Sequence, residues 1–142
     1  QEKLKGYRQA CDDLKLEKFE ISSEGVSVKD GYEAGDKIFE MKDSKDITCV
    51  SFSEDAQAIG FINYCYDNNK KVPEDISVSG FGDIPMTSIY RPTLTTVQEP
   101  YYDIGAVSMR TLVKVLKENK TINEKAILGS QIMKRESVKD IN

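Results

Sequence analysis

The sequence predicts an α/β fold built on a doubly wound, mostly parallel sheet. Two observations carry this. Compact apolar runs at residues 47–52 and 76–81 alternate with segments of helical period, and a further strand at residues 94–97 follows a turn-rich stretch. Strand and helix in alternation imply right-handed parallel crossovers. At 142 residues the chain is the size of one domain and long enough to bury a single core.

The elements follow in order. Leu4, Tyr7, Ala10, Cys11 and Leu14 recur at helical spacing, so the chain opens in an amphipathic helix. A short strand is expected at residues 19–22. Ser27 with Asp30 has the form of a capping box, and Tyr32, Gly35, Ile38 and Phe39 continue a helical face to about residue 42. The apolar strand 47–52 leads to Ser53 as a cap and to a helix carrying Ala56, Ile59, Gly60, Ile62 and Cys65. Strand 76–81 follows, with Gly82 and Asp83 forming a loop at its carboxyl end, where ligands of open α/β sheets sit. After strand 94–97 the run Gln98-Glu99-Pro100 is a break. A helix then covers residues 102–118, ending near Asn119, and a final strand is expected over residues 126–134. In that helix Ile104, Gly105, Met109, Leu112, Val113, Val115 and Leu116 make a broad apolar arc, which calls for cover by another copy or a longer chain.

Composition excludes several classes. With 39% hydrophobic and 31% charged residues the chain reads as soluble and globular, and no apolar run approaches the roughly 18 residues of a membrane span. Gln1 opens no secretory signal pattern. A net charge of −4 without a basic cluster argues against nucleic-acid contact by this segment. Cys11, Cys49 and Cys65 share no metal-ligand spacing and read as reduced, buried thiols. The absence of histidine removes the usual general base and the commonest zinc ligand, so neither cofactor nor metal is expected.

Residues 72–97 read Val-Pro-Glu-Asp-Ile-Ser-Val-Ser-Gly-Phe-Gly-Asp-Ile-Pro-Met-Thr-Ser-Ile-Tyr-Arg-Pro-Thr-Leu-Thr-Thr-Val. Together with Lys3-Leu4-Lys5-Gly6-Tyr7 and Glu54-Asp55-x-x-Ala58-Ile59-Gly60, this stretch resembles the effector domain of LacI/GalR transcription regulators over nearly the whole chain. The resemblance implies a periplasmic-binding-protein-like type I fold. On this reading residues 1–97 are the carboxyl-terminal effector subdomain without its first strand. Residues 98–125 are the hinge and crossover helix of the other subdomain, and residues 126–142 the returning hinge strand and tail. Gln98 with Glu99, and residues 128–131, are then two hinge strands. The implied parent is a cytoplasmic, homodimeric repressor of sugar metabolism. It binds DNA through a helix-turn-helix absent from this chain, and it responds to an effector by a hinge motion. A periplasmic sugar-binding protein shares the fold and is the competing class.

The family positions that touch a sugar or nucleobase effector fall here on Lys3, Glu54, Gly82 and Glu99, each departing from the family's commonest residue. Phe52, Phe81 and Asp83 complete the expected ligand-binding set, since sugar sites combine fixed carboxylates with aromatic faces. Lys3 in place of arginine removes a planar fork, Gly82 removes a carboxylate, and Glu54 adds negative charge at a helix amino terminus. Two readings stay open: a pocket retuned for a neutral or amine-bearing ligand, or a pocket that no longer holds a sugar tightly. An enzyme using Glu54 and Glu99 as an acid pair is a third class, disfavoured without histidine, metal motif or phosphate loop.

The helix from Tyr102 also resembles that of catabolite control proteins, whose corepressor is a serine-phosphorylated phosphocarrier protein. Tyr102, Asp103, Arg110 and Lys114 occupy the docking positions, and Asp103, Arg110, Lys114 and Lys117 share one narrow stripe. That branch carries an arginine in the last strand near Gln131, which this chain lacks there. The family's dimer surface maps to Ile59, Ile89 and Tyr90, with Ile59 as ordinary core the alternative.

Overall fold

The structure, a computed structural model, describes residues 2–45, 47–118 and 125–140. It is a mixed α/β domain on a four-stranded, mostly parallel sheet, as expected from the alternating pattern. Helices α1 (Glu2–Leu14), α2 (Val28–Glu33) and α3 (Gly35–Lys45) precede strand β1 (Cys49–Ser51). Helix α4 (Asp55–Asp67) and strand β2 (Ser77–Gly82) follow, then a short 3-10 helix (Pro85–Ser88), strand β3 (Thr95–Gln98), helix α5 (Tyr101–Glu118) and strand β4 (Gln131–Met133). The sheet order is β1-β2-β3-β4. β1, β2 and β3 are parallel, and β4 is antiparallel to β3.

Helix α4 organises the core. Ala58, Phe61, Ile62 and Cys65 are buried with Ile76 and Val78 from the β2 segment, with Leu94, and with Ile38 and Phe39 of α3. Phe61 lies between the rings of Phe52 and Phe39, at centroid separations of 5.4 and 5.8 Å. Burial of this kind stabilises by roughly 1.5–3 kcal/mol for each large apolar side chain. Helices α2 and α4 pack so closely that a Cβ on Gly60 would stand 1.9 Å from the Val28 carbonyl oxygen, so the sequence needs glycine there. Burial also pushes the Cys65 thiol up to about 12. Cys11 is likewise buried and unpaired, but Cys49 is exposed, contrary to the expectation of three buried thiols.

The capping box is present in full: Asp30 N–H donates to Ser27 Oγ, and the Ser27 N–H to Asp30 Oδ2 at 2.8 Å. Ala34 then separates two helices where the sequence suggested one continuous face. The expected strand at residues 19–22 does not form. Phe19 instead spends both its backbone groups on the Tyr7 hydroxyl, donating to it and accepting from it at 3.0 Å, so neither is open to a strand partner. Ser53 is not the cap of α4. Glu54 holds that position in extended backbone, while Ser53 Oγ donates to Gln57 Oε1 at 3.0 Å.

The final strand is shorter than expected, with only Gln131–Met133 pairing, and the expected helix end near Asn119 lies outside the described residues. The two expected hinge segments do meet, through the Gln98↔Gln131 pair. Beyond β4 the chain turns back along the sheet. Ser137, fully buried, donates its hydroxyl to the Val78 carbonyl at 2.6 Å, and its own carbonyl accepts the Val78 N–H at 2.8 Å. No side chain of α5 is buried, and Tyr102, Met109, Leu112 and Leu116 stand exposed among the described residues. No helix among the described residues is long and apolar enough to cross a membrane.

Candidate functional site at the carboxyl edge of the sheet

Three parallel strands deliver their carboxyl ends to one edge. β1 leads to Ser53, Glu54 and Asp55, β2 to Phe81, Gly82 and Asp83, and β3 to Gln98 and Glu99. Asp55 is 1% exposed and opens α4. Its Oδ2 accepts the Ile84 N–H at 3.0 Å and its Oδ1 accepts the Thr96 hydroxyl at 2.5 Å, so one carboxylate clasps the loop after β2 to β3. An acid in the first turn also complements the helix dipole. Gly82 has φ +130, a conformation other residues rarely adopt, and a Cβ there would stand 3.3 Å from both Asp55 Oδ2 and the Tyr101 hydroxyl. Its contribution to the site is therefore backbone alone.

The remaining expected ligand residues gather on this edge, each with a partner. The Lys3 ammonium reaches across from α1 to the Ser53 carbonyl at 2.9 Å and Glu54 Oε1 at 3.1 Å, and stands 3.9 Å from the centroid of the Phe81 ring. Glu99 Oε2 accepts the Tyr101 hydroxyl at 2.9 Å. That bond, helped by burial and by the negative field of Glu99, Glu54 and Asp55, pushes the tyrosine up to about 12. Phe52 packs on Phe61 in the core and is only partly open.

Asp83 has a different surrounding. With φ 60 it turns the chain, and its Oδ1 accepts from Arg135 at 2.6 Å and from Thr87 at 3.0 Å, while its Oδ2 accepts from Gln98 at 2.8 Å. Burial alone would raise its carboxyl, but these hydrogen bonds and the Arg135 charge outweigh burial and hold it below the usual carboxylate range. The same guanidinium donates to the Leu94 carbonyl at 2.7 Å. The structure thus makes Asp83 a strut, with both oxygens engaged inside the protein. Arg135 and Tyr101 were missed by sequence reasoning, and Gln98 was expected only as part of a hinge strand. Arg135 lies 52 positions from Asp83 and carries no local pattern. Tyr101, in the first helical turn after Pro100, carried the only available signal.

Residues 1–138 match the periplasmic binding protein-like domain. The chain belongs to this family. Among its relatives, the HTH-type transcriptional regulator RegA of Clostridium saccharobutylicum is 36% identical over 135 residues, covering 93% of this chain and 40% of the relative. The transcription regulator CcpA of Lactococcus lactis superposes with a TM-score of 0.83 at 30% identity, over 94% of this chain and 49% of that one. A LacI family transcriptional regulator from Enterococcus faecalis, solved with bound ribose, superposes at 0.84 with 25% identity, over 95% of this chain and 48% of that one. The resemblance to LacI/GalR regulators is thereby borne out. The chain spans about 40% of the length of such curated relatives and about half of the solved chains.

Other expected positions of this periplasmic binding protein-like domain are placed as follows. Ile59 is 5% exposed and sits in the core. Ile89 is exposed, and Tyr90 is half-buried with its hydroxyl donating to Asn63 at 2.5 Å. On α5, Arg110, Lys114 and Lys117 border a shallow groove with Ala106, Met109 and Val113, while Tyr102 and Asp103 line a second depression beside Glu99 and Gln131.

The Asp83 contacts carry a pH signature. A carboxyl held below its unfolded pKa stabilises the fold above that pKa, and the stabilisation is lost as pH falls through the folded value. Stability should accordingly drop as pH falls below about 4, and Asp83→Asn should flatten that acid limb. Arg135→Ala, which strands a largely buried carboxylate, should lower unfolding free energy at neutral pH by about 3 kcal/mol in urea denaturation. Unchanged stability in Arg135→Ala would show the pair to be idle.

Proposed function

We propose that this domain is the effector-sensing part of a cytoplasmic LacI/GalR-type repressor of sugar metabolism. Residues outside this chain bind DNA through a helix-turn-helix and complete a homodimer. The observation that carries the reading is the carboxyl edge itself: Lys3, Glu54, Phe81, Glu99 and Tyr101 converge there, beside the Gln98↔Gln131 pair. Carboxylates, an ammonium and an aromatic face suit a polyhydroxylated ligand, whose hydroxyls must regain hydrogen bonds lost from water. The similarity to a regulator solved with bound ribose supports a sugar, and the named transcription regulators support a repressor over a periplasmic binding protein. A non-catalytic role fits the same relatives.

In this reading residues 1–97 form one effector subdomain, residues 98–125 cross to the other, and residues 126–142 return. Cover for the exposed face of α5 then comes from that other subdomain. Effector bound between the two shifts their angle, and the paired hinge segments transmit the shift to the DNA-binding parts.

Calorimetric titration of the full-length protein with hexoses and pentoses tests the sensing role. Glu99→Ala should weaken binding about tenfold or more, the loss of a hydrogen bond to a charged group. Full affinity in Glu99→Ala would move the effector elsewhere.

A second reading has its own support. The cationic border of the α5 groove and the similarity to CcpA of Lactococcus lactis favour docking of a serine-phosphorylated phosphocarrier protein on Tyr102, Asp103, Arg110 and Lys114. Arg110→Glu with Lys114→Glu should abolish pull-down of the phosphorylated carrier. Equally poor capture of phosphorylated and unphosphorylated carrier by the unmodified protein would remove the reading.

A further inference from the structure

The contacts of Lys3 describe a ligand as much as a side chain. A primary ammonium carries three N–H bonds, and this one meets a carbonyl oxygen, a carboxylate oxygen and an aromatic face. Those are the groups from which binding sites for alkylammonium ions are made. None of them belongs to the helix that bears Lys3: Ser53 and Glu54 follow β1, and Phe81 is in β2. The receiving groups are therefore fixed by the sheet, while the ammonium reaches them from α1 on a flexible stem.

Apart from Lys3 itself, the charged groups acting at this point are carboxylates. The carboxylates of Glu99, Glu54 and Asp55 all act on the Tyr101 hydroxyl, which donates to Glu99. The Arg135 guanidinium at this edge is committed to Asp83. An incoming phosphate would meet Glu54 and Glu99, and like charges repel strongly where water is partly excluded.

We propose that the Ser53 carbonyl, the Glu54 carboxylate and the Phe81 ring form an amine subsite of the effector pocket. Lys3 fills it in the free protein, and the effector is an amine-bearing sugar or polyol whose ammonium displaces Lys3. The proposal rests on the sensing role above and names its ligand class. Exchange is charge-neutral at the subsite, since one ammonium leaves as another enters and Glu54 is never unpaired. It is also easy, because Lys3 and Glu54 are 37% and 43% exposed, and ion pairs so open are weakly held.

Titration of the full-length protein at mildly acidic pH, with D-glucosamine against D-glucose, D-galactosamine against D-galactose, and glucose 6-phosphate, tests it. At least one amine should bind about tenfold tighter than its hydroxyl counterpart, and the phosphate more weakly than either. Lys3→Met, which vacates the subsite, should tighten the amine several-fold relative to its hydroxyl counterpart. Glu54→Gln should erase the preference. If a neutral or phosphorylated sugar binds as tightly as the amine, or if Lys3→Met weakens every ligand alike, the subsite is overturned and the sensing role stands. If none of these compounds binds while a pentose does, the subsite is overturned and the sensing role stands; if no sugar of either class binds, both fall.

Discussion

The Asp55 carboxylate joins three parts of the chain that sequence order keeps apart: the first turn of α4, the loop that leaves β2, and strand β3. A buried carboxylate is tolerated only when its oxygens are satisfied, and here a backbone N–H and a hydroxyl meet them. The loop that carries Gly82 and Asp83 is therefore not free to choose its path. Gly82 takes its positive φ against that carboxylate, Tyr101 approaches the same spot, and Glu99 is drawn to Tyr101. The carboxyl edge acquires its shape from one side chain that no ligand needs to touch.

A second constraint runs from the far end of the chain. Arg135 grips Asp83 and the Leu94 carbonyl, while Gln98 bonds the other oxygen of Asp83. The turn after β2, the start and end of β3 and the segment after β4 thus share one charged network. Gln98 is also the residue whose strand partner is Gln131, so the network ends at the pairing of β3 with β4. One hydrogen bond, from the Gln98 side chain to Asp83, joins the loop after β2 to that pair. Such a short mechanical path is what a sensor with a hinge requires.

Much of the fold was legible because it is local. Periodicity located α4 and α5 to within a residue or so at most boundaries, and Ser27 with Asp30 marked a real cap. The apolar runs found β1, β2 and β3. What periodicity could not show was pairing across distance. The segment at residues 19–22 has strand-like composition, yet Tyr7 takes the backbone groups a strand would use. The apolar face of the first helix points largely to solvent, with Leu4 and Leu14 exposed and Cys11 buried. At the site, the positions of Lys3, Glu54, Phe81, Gly82 and Glu99 were readable from family likeness, but their internal pairing was not. Asp83 looked like a ligand group from its place after the Gly-Phe-Gly run and became a strut because of an arginine 52 residues away. Ile59 carried the ambiguity of any apolar residue in a helix that is buried on most sides, and packing resolved it toward core.

In the proposed function the carboxyl edge receives the effector and hands the event to the hinge. Amide hydrogen exchange on the full-length protein, with and without a saturating hexose or hexosamine that binds in calorimetry, tests it most directly. The account predicts slower exchange over residues 81–84 and 98–101, with the amide of Gln131 affected alongside them. Unchanged exchange in these segments, with protection gained elsewhere in the domain, would contradict it.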